Sequence, residues 1–228
     1  MEYRISCQFF KKEVNDMELD KLCVILDAGH SKQTPGKKSP DGRIEEWKWN
    51  REVRDMVIEE LDKLYIESYD DHVEDVTLNG SENADLKVRV ERANKKIADN
   101  TKKGLKSVYV SIHVNAAGNG SEWMSARGWS AWTTRGQNNS DKLASAIYEC
   151  AKREFVLWEQ RIREDLSDGD PDYESNFYVI KNANCPAVLI ENFFMDNKDD
   201  VEWLVSEECK RACARVIVMG ILKYVSES

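Results

Sequence analysis

Only three histidines occur in the 228 residues, and two of them occupy matching positions. His30 closes the run Val24-Ile25-Leu26-Asp27-Ala28-Gly29-His30, and His113 closes Val108-Tyr109-Val110-Ser111-Ile112-His113. Each run reads as a buried strand. Parallel strands bring their C-terminal ends to one edge of a sheet, so the two imidazoles there could share one ion. The alternative is two unrelated histidines, each satisfied by its own hydrogen bonds. Imidazole nitrogen suits zinc, and a catalytic zinc needs about three protein ligands with one position left open. His72, in the polar stretch Tyr69–Asp75, has no strand-end context and reads as a solvated side chain.

A third ligand should follow. Glu45 and Glu46 open a helical pattern whose inward stripe is Trp49, Val53, Val57, Leu61 and Leu64. At about 100° per residue, Glu46 falls within roughly 20° of Val53 and Val57, while Glu45 lies about 80° from Val53. A carboxylate on the buried face needs a partner, which a metal would supply. Glu45 reads instead as a first-turn glutamate favoured by the helix dipole. A further acid, Glu191, sits in the most apolar run of the chain, Ala187-Val188-Leu189-Ile190-Glu191-Asn192-Phe193-Phe194. A lone buried carboxylate would lose its charge. Beside an activated water it could take a proton and return it to a leaving amine. Otherwise it is an edge-strand glutamate facing solvent.

The elements that must position these groups alternate in period, as in an α/β domain. Strands are expected at Leu22–Asp27, Val73–Thr77, Ser107–Ile112, Trp129–Thr134, Asn176–Lys181 and Ala187–Phe193. Helices are expected at Glu46–Tyr65, Leu86–Asn100, Ser140–Trp158 and Asp199–Val225. Polar loops follow the strands at 29–42, 116–128 and 167–175, where α/β sheets place their chemistry. Trp47, Trp49, Trp123, Trp129 and Trp132 flank them, as loop or core anchors or as platforms for a sugar or peptide.

Composition narrows the partners. The chain carries a net charge of −9 with no basic block, which argues against nucleic acid as a partner. Its apolar runs are strand-sized, far short of the roughly 18 residues that span a membrane. The first 20 residues hold six charged residues between Lys11 and Asp20 and no apolar core, so they read as an N-terminal extension without an ordinary export signal. Residues 21–228 then suffice for one well-cored domain. The six cysteines form no CxxC pair and read as buried free thiols suited to a reducing compartment. Cys209 and Cys213 share a helix face but have no third ligand nearby.

Together these segments resemble the catalytic domain of zinc N-acetylmuramoyl-L-alanine amidases, the amidase 3 family, over about residues 22–225. The resemblance rests on Ile25–His30, on the glutamate that opens the first helix with Trp49 and Asn50 behind it, on Ser111-Ile112-His113-Val114-Asn115-Ala116, on Pro186–Glu191 and on Phe193–Asn197. Arg89 and Asn94 match the Arg and Asn of the family's helix before the second histidine. The resemblance implies a single α/β domain, a mostly parallel mixed sheet of about six strands flanked by helices. It also implies Zn²⁺ held by His30, Glu46 and His113, with Glu191 as catalytic acid/base.

The implied substrate is peptidoglycan, cut at the lactyl amide between muramic acid and L-alanine, with Arg89, Asn115 and Arg163 as expected substrate contacts. Two stretches depart from the family: Ser31–Pro40 stands where a Gly-rich tract is common, and Trp158–Ser175 is a charged stretch particular to this chain or its close relatives, which reads as a solvated loop or as one whose arginines hold stem-peptide carboxylates. A monomer acting on the cell wall, and held in the cytoplasm until release, is expected. The rival readings are another zinc peptidoglycan hydrolase (a carboxypeptidase or deacetylase) and a non-catalytic wall-binding module of the same fold.

Overall fold

The structure is a computed structural model describing residues 19–71 and 82–227, with the backbone alone at 82–84. His72, Cys7 and the strand expected at Val73–Thr77 lie outside those residues. Six strands and six helices are described: β1 (Leu22–Ala28), α1 (Glu46–Lys63), β2 (Glu67–Asp70), α2 (Glu82–Lys102), β3 (Lys106–Asn115), β4 (Ser130–Thr133), α3 (Asn139–Val156), β5 (Tyr173–Glu174), α4 (Tyr178–Asn182), β6 (Ala187–Phe194), α5 (Lys198–Leu204) and α6 (Glu207–Ser226).

The strands form one mixed sheet in the order β2-β1-β3-β6-β4-β5. Among the pairings of the described strands, only β4–β6 is antiparallel. The other four pairings are parallel. Both faces are covered, which is why β1, β3 and β6 read as continuous apolar runs rather than alternating ones. Val24, Leu26, Val110, Ile112, Val188 and Ile190 face α1, α3 and α6. Cys23, Ile25, Tyr109 and Leu189 face α2 and α4. Burial of such stripes, at about 25 cal/mol per Å² of apolar surface, is the main favourable term holding the three layers together.

Several elements differ from the expected ones. The segment Asn176–Lys181 is not a strand: Tyr178–Asn182 makes a single helical turn that packs Val179 and Ile180 on α2's side of the sheet. The helix expected over Asp199–Val225 breaks in two, because Ser206 caps a new helix by accepting from the Cys209 N–H at 3.1 Å. β2 and β5, four and two residues long, form the sheet edges. Cys23, Cys150, Cys209 and Cys213 are buried free thiols and Cys185 is partly so. Among the described residues no helix is long and apolar enough to cross a membrane.

Candidate metal centre

β1, β3 and β6 run parallel, with Ala28 paired to Ile112 and Ile112 to Ile190, so their C-terminal ends share one edge. In that register His113 stands directly opposite Glu191. His30 follows two residues past β1 with φ 62°, in the left-handed region where histidine is one of the more tolerated side chains. The loop that carries it is clamped. Gly29 N–H donates to Ile112 O at 3.0 Å, and Gly29 O accepts from Asn50 Nδ2 at 3.1 Å. Arg51 Nη2 donates to His30 O, also at 3.1 Å. Asn50 and Arg51 lie about one turn into α1, so the helix that begins with Glu46 also holds the His30 loop.

Glu46 is 1% exposed. Its Oε1 lies 3.1 Å from His113 Nδ1 and 3.4 Å from His30 Nε2, and it accepts from Val114 N–H at 3.1 Å. The two imidazoles meet edge to face with centroids 4.9 Å apart. One donor atom from each of the three residues lies within 4.8 Å of the others, a group able to hold a metal ion. Glu46 Oε2 is buried and has no hydrogen-bond partner among the described residues. There, too, no lysine or arginine forms an ion pair with Glu46 or Glu191.

The charges tell the same story. Burial pushes the Glu46 carboxyl up, but His30 and His113 outweigh it and hold it down at about 2. Burial pushes His113 down, yet the Glu46 hydrogen bond and charge win and raise it. Without a cation, a proton is drawn onto the imidazole beside Glu46. Two imidazoles, a buried carboxylate with an orphaned oxygen and a shortage of positive charge fit a divalent ion.

Glu191 is half-buried, with Oε2 fully enclosed and unpartnered among the described residues. Burial first, and then the Glu46 charge, raise its carboxyl to about 7 against the opposing pull of His113 and Lys37. That is the range in which a carboxyl can both accept and release a proton near neutral pH. The ladder slips immediately beyond it. His113 pairs with Glu191 but Asn115 pairs with Phe194, which leaves an extra residue in β6. Phe193 takes φ 62° there, an outlier for a bulky side chain, and such bulges re-aim neighbouring groups. Asn192 ties the bulge down, donating to His113 O at 3.0 Å and accepting from Trp129 Nε1 at 3.2 Å.

The three expected substrate contacts fall in different places. Arg89 is 2% exposed, with its guanidinium on Asp27 and Asp85, so it faces the interior and not a cleft. Asn115 is half-buried beside the centre, its Oδ1 accepting from Ala116 N–H at 2.8 Å. Arg163 is half-buried, with its guanidinium 5.3 Å from the ring of Tyr173 and 5.1 Å from that of Phe194. Asn94 ties α2 to the end of α4, donating to Asn182 O at 2.7 Å, and to the loop before β6, accepting from Asn184 N–H at 2.9 Å. Of the flanking tryptophans, Trp49 and Trp129 are core residues. Arg51 and Asn192, which hold the ligand backbones, had no sequence signal beyond lying near Glu46 and Glu191.

The family model of N-acetylmuramoyl-L-alanine amidases, amidase 3, matches residues 24–223. The chain belongs to this family. The matched span of the amidase family holds His30, Glu46, His113 and Glu191 together. Over 236 residues the chain is 25% identical to the N-acetylmuramoyl-L-alanine amidase AmiC of Neisseria meningitidis serogroup B, covering 90% of this chain and 53% of AmiC. It therefore spans about half the length of that relative. It is 28% identical over 205 residues to the endolysin of Bacillus phage SPP1, covering 89% of this chain and 66% of the endolysin. The crystal structure of an N-acetylmuramoyl-L-alanine amidase from Clostridium difficile 630 superposes with a TM-score of 0.72 at 26% identity, over 90% of this chain and 97% of that one.

Proposed function

We propose that residues 21–228 form a zinc-dependent amidase that hydrolyses the amide between N-acetylmuramic acid and the L-alanine of the peptidoglycan stem peptide. Acting as a monomer on the cell wall, the chain would hold the ion with His30, Glu46 and His113. The single observation that carries the reading is the spacing of donors. Tetrahedral zinc with bonds of about 2.0–2.2 Å sets its ligand atoms roughly 3.3 Å apart, and Glu46 Oε1 stands 3.1 and 3.4 Å from the two imidazole nitrogens. Bound there, zinc lowers the pKa of water toward about 7 and polarises a carbonyl.

The chain's own residues supply the rest. Glu191 accepts the proton of the attacking water on its carboxylate, and then gives that proton to the departing L-alanine nitrogen. Its half-raised pKa suits both duties. Asn192 and the bulge at Phe193 fix its direction, while Gly29 leaves room for the His113 ring.

The test is digestion of purified peptidoglycan, with the new ends identified by mass spectrometry. Free L-alanine amines without loss of C-terminal stem residues identify the amidase, whereas trimmed stems or deacetylated glycans would identify the rival hydrolases. Glu191→Gln should cut turnover by about 10²–10⁴-fold with zinc affinity kept. A variant that clears walls as fast as the wild type would refute the role of Glu191.

A further inference from the structure

A second group of acids lies away from the candidate metal centre. Because β4 runs antiparallel to β6, its last residue, Thr133, approaches the N-terminal end of β6, toward the opposite edge of the sheet. Three carboxylates converge there: Asp141 from the first turn of α3, and Asp170 and Asp172 from the loop ahead of β5. One oxygen from each lies within 4.8 Å of the others.

Their partners do not balance them. Thr133 Oγ1 lies 2.9 Å from Asp141 Oδ1 and 2.6 Å from Asp172 Oδ2, but a hydroxyl has one hydrogen and can donate to only one of them. Asp141 Oδ2 accepts from Asn138 N–H, and Asp170 Oδ2 from Gln137 Nε2 at 2.6 Å. Asp172 is 1% exposed, and among the described residues neither its enclosed Oδ1 nor the enclosed Oδ1 of Asp170 accepts a hydrogen bond from an N–H or hydroxyl donor. Among the described residues no lysine or arginine forms an ion pair with any of the three. Gathered carboxylates whose enclosed oxygens find no donor, and to which no cationic side chain is paired, call for a positive charge, which a proton shared between Asp170 and Asp172 supplies only in part. A groove lined by Gln137, Asp141, Lys142 and Asp170 gives an ion a way in.

We propose that Asp141, Asp170 and Asp172 form a second cation site, distinct from the His30–Glu46–His113 centre, which takes Ca²⁺ and ties the loop ahead of β5 to the start of α3. The donors are all oxygen, which selects hard ions. The irregular arrangement of one helical and two loop carboxylates suits the flexible coordination of calcium better than the strict octahedron of magnesium. The position gives the ion a task. The loop that carries Asp170 and Asp172 leads into β5, a two-residue edge strand that offers little anchorage of its own.

The probe is Tb³⁺, a luminescent stand-in for Ca²⁺, bound to the zinc-loaded full chain with tryptophan excitation. Trp132 and Tyr173, whose tilted rings lie 4.8 Å apart, adjoin Thr133 and Asp172 in sequence and can sensitise it. A saturable 1:1 signal is expected, displaced by Ca²⁺ at micromolar to millimolar concentration. It should weaken at least about tenfold in Asp172→Asn and in Asp170→Asn at the half-buried member of the group, as ligand charge is lost, and it should survive in His113→Ala. Ca²⁺ should also raise the melting temperature of the wild type but not of Asp170→Asn. No saturable signal, affinity unchanged from the wild type in both Asp variants, or loss of the signal in His113→Ala would each overturn the site. None of these readouts depends on amidase activity.

Discussion

Gly29→Ala separates the geometry of the metal centre from the stability of the fold. Gly29 does not use a positive φ, so alanine can adopt its backbone. The added methyl, however, would stand 2.1 Å from His113 Cε1, 2.3 Å from Nε2 and 2.5 Å from Nδ1. Ordinary contact begins near 3.4 Å, so something must move by more than an ångström. The backbone resists: moving it strains the bonds to Ile112 O and from Asn50 Nδ2, each worth about 0.5–1.5 kcal/mol. The ring yields instead, and the 3.1 Å approach of Nδ1 to Glu46 is lost. Metal sites work only when held to within about 0.5 Å.

Losing one of three ligands should exceed the 10–100-fold effect of an outer-shell change, so zinc affinity should fall at least about 100-fold, or roughly 2.7 kcal/mol. Competition with a chromogenic chelator measures this. In chelator the variant should melt within a few degrees of the wild type, since the smaller entropy of its unfolded chain offsets part of the strain. In zinc the wild type alone should gain stability. Zinc affinity within threefold of wild type would show that His113 is not a ligand in this position.

Gly220→Ala probes the helical layer alone: its Cβ would sit 2.4 Å from Ile147 Cγ1 and 2.6 Å from Ile147 Cα, forcing α6 off α3. Even after about 1 kcal/mol of helix propensity is regained, a net loss of roughly 1–3 kcal/mol and several degrees in Tm is expected, with zinc binding per folded molecule unchanged. Asp71→Asn tests the buried charges behind β1. Burial and the neighbouring Asp27 raise the Asp71 carboxyl well above its usual range, helped by Asp70 and opposed by Arg89 and the Tyr109 hydroxyl. The folded chain thus binds that proton more tightly than the unfolded chain, and stability falls as pH rises above about 4. The variant should lose that part of the slope and gain on the wild type from pH 5 to pH 8 in thermal melts; parallel curves would contradict it.

Where the chemistry depends on local period, the sequence was legible. The phase of one helix separates Glu46 from Glu45, and in the structure Glu46 is buried with Trp49, Val53, Val57 and Leu61 while Glu45 is exposed at the N-cap position. β1, β3 and β6 were readable because strands covered on both faces must be apolar throughout. The apolar residues of Asn176–Lys181 carry the same composition, but one turn of helix buries Val179 and Ile180 equally well, and a six-residue window cannot choose between them. β5 is too short to leave a pattern. Arg89 showed the limit of motif matching: its place in the chain follows the family, but only the fold reveals that Asp27 and Asp85 enclose it.

Two of the four described non-glycine residues with left-handed backbone sit at the centre. His30 and Phe193 both take φ 62° at the ends of strands whose register brings them to one edge. Left-handed backbone at a non-glycine residue costs on the order of 1–3 kcal/mol and persists only where the surroundings impose it. Here they do. Asn50 and Arg51 bind the carbonyls of Gly29 and His30, and Asn192 binds that of His113. Asp200 Oδ2 takes both Phe194 N–H at 2.9 Å and Gly128 N–H at 2.8 Å, locking the strand just past the bulge. These polar side chains are the ones that apolar periodicity does not explain. Their hydrogen bonds offset the strain and hold the imidazoles, Glu46 and Glu191 in place before any ion or substrate arrives.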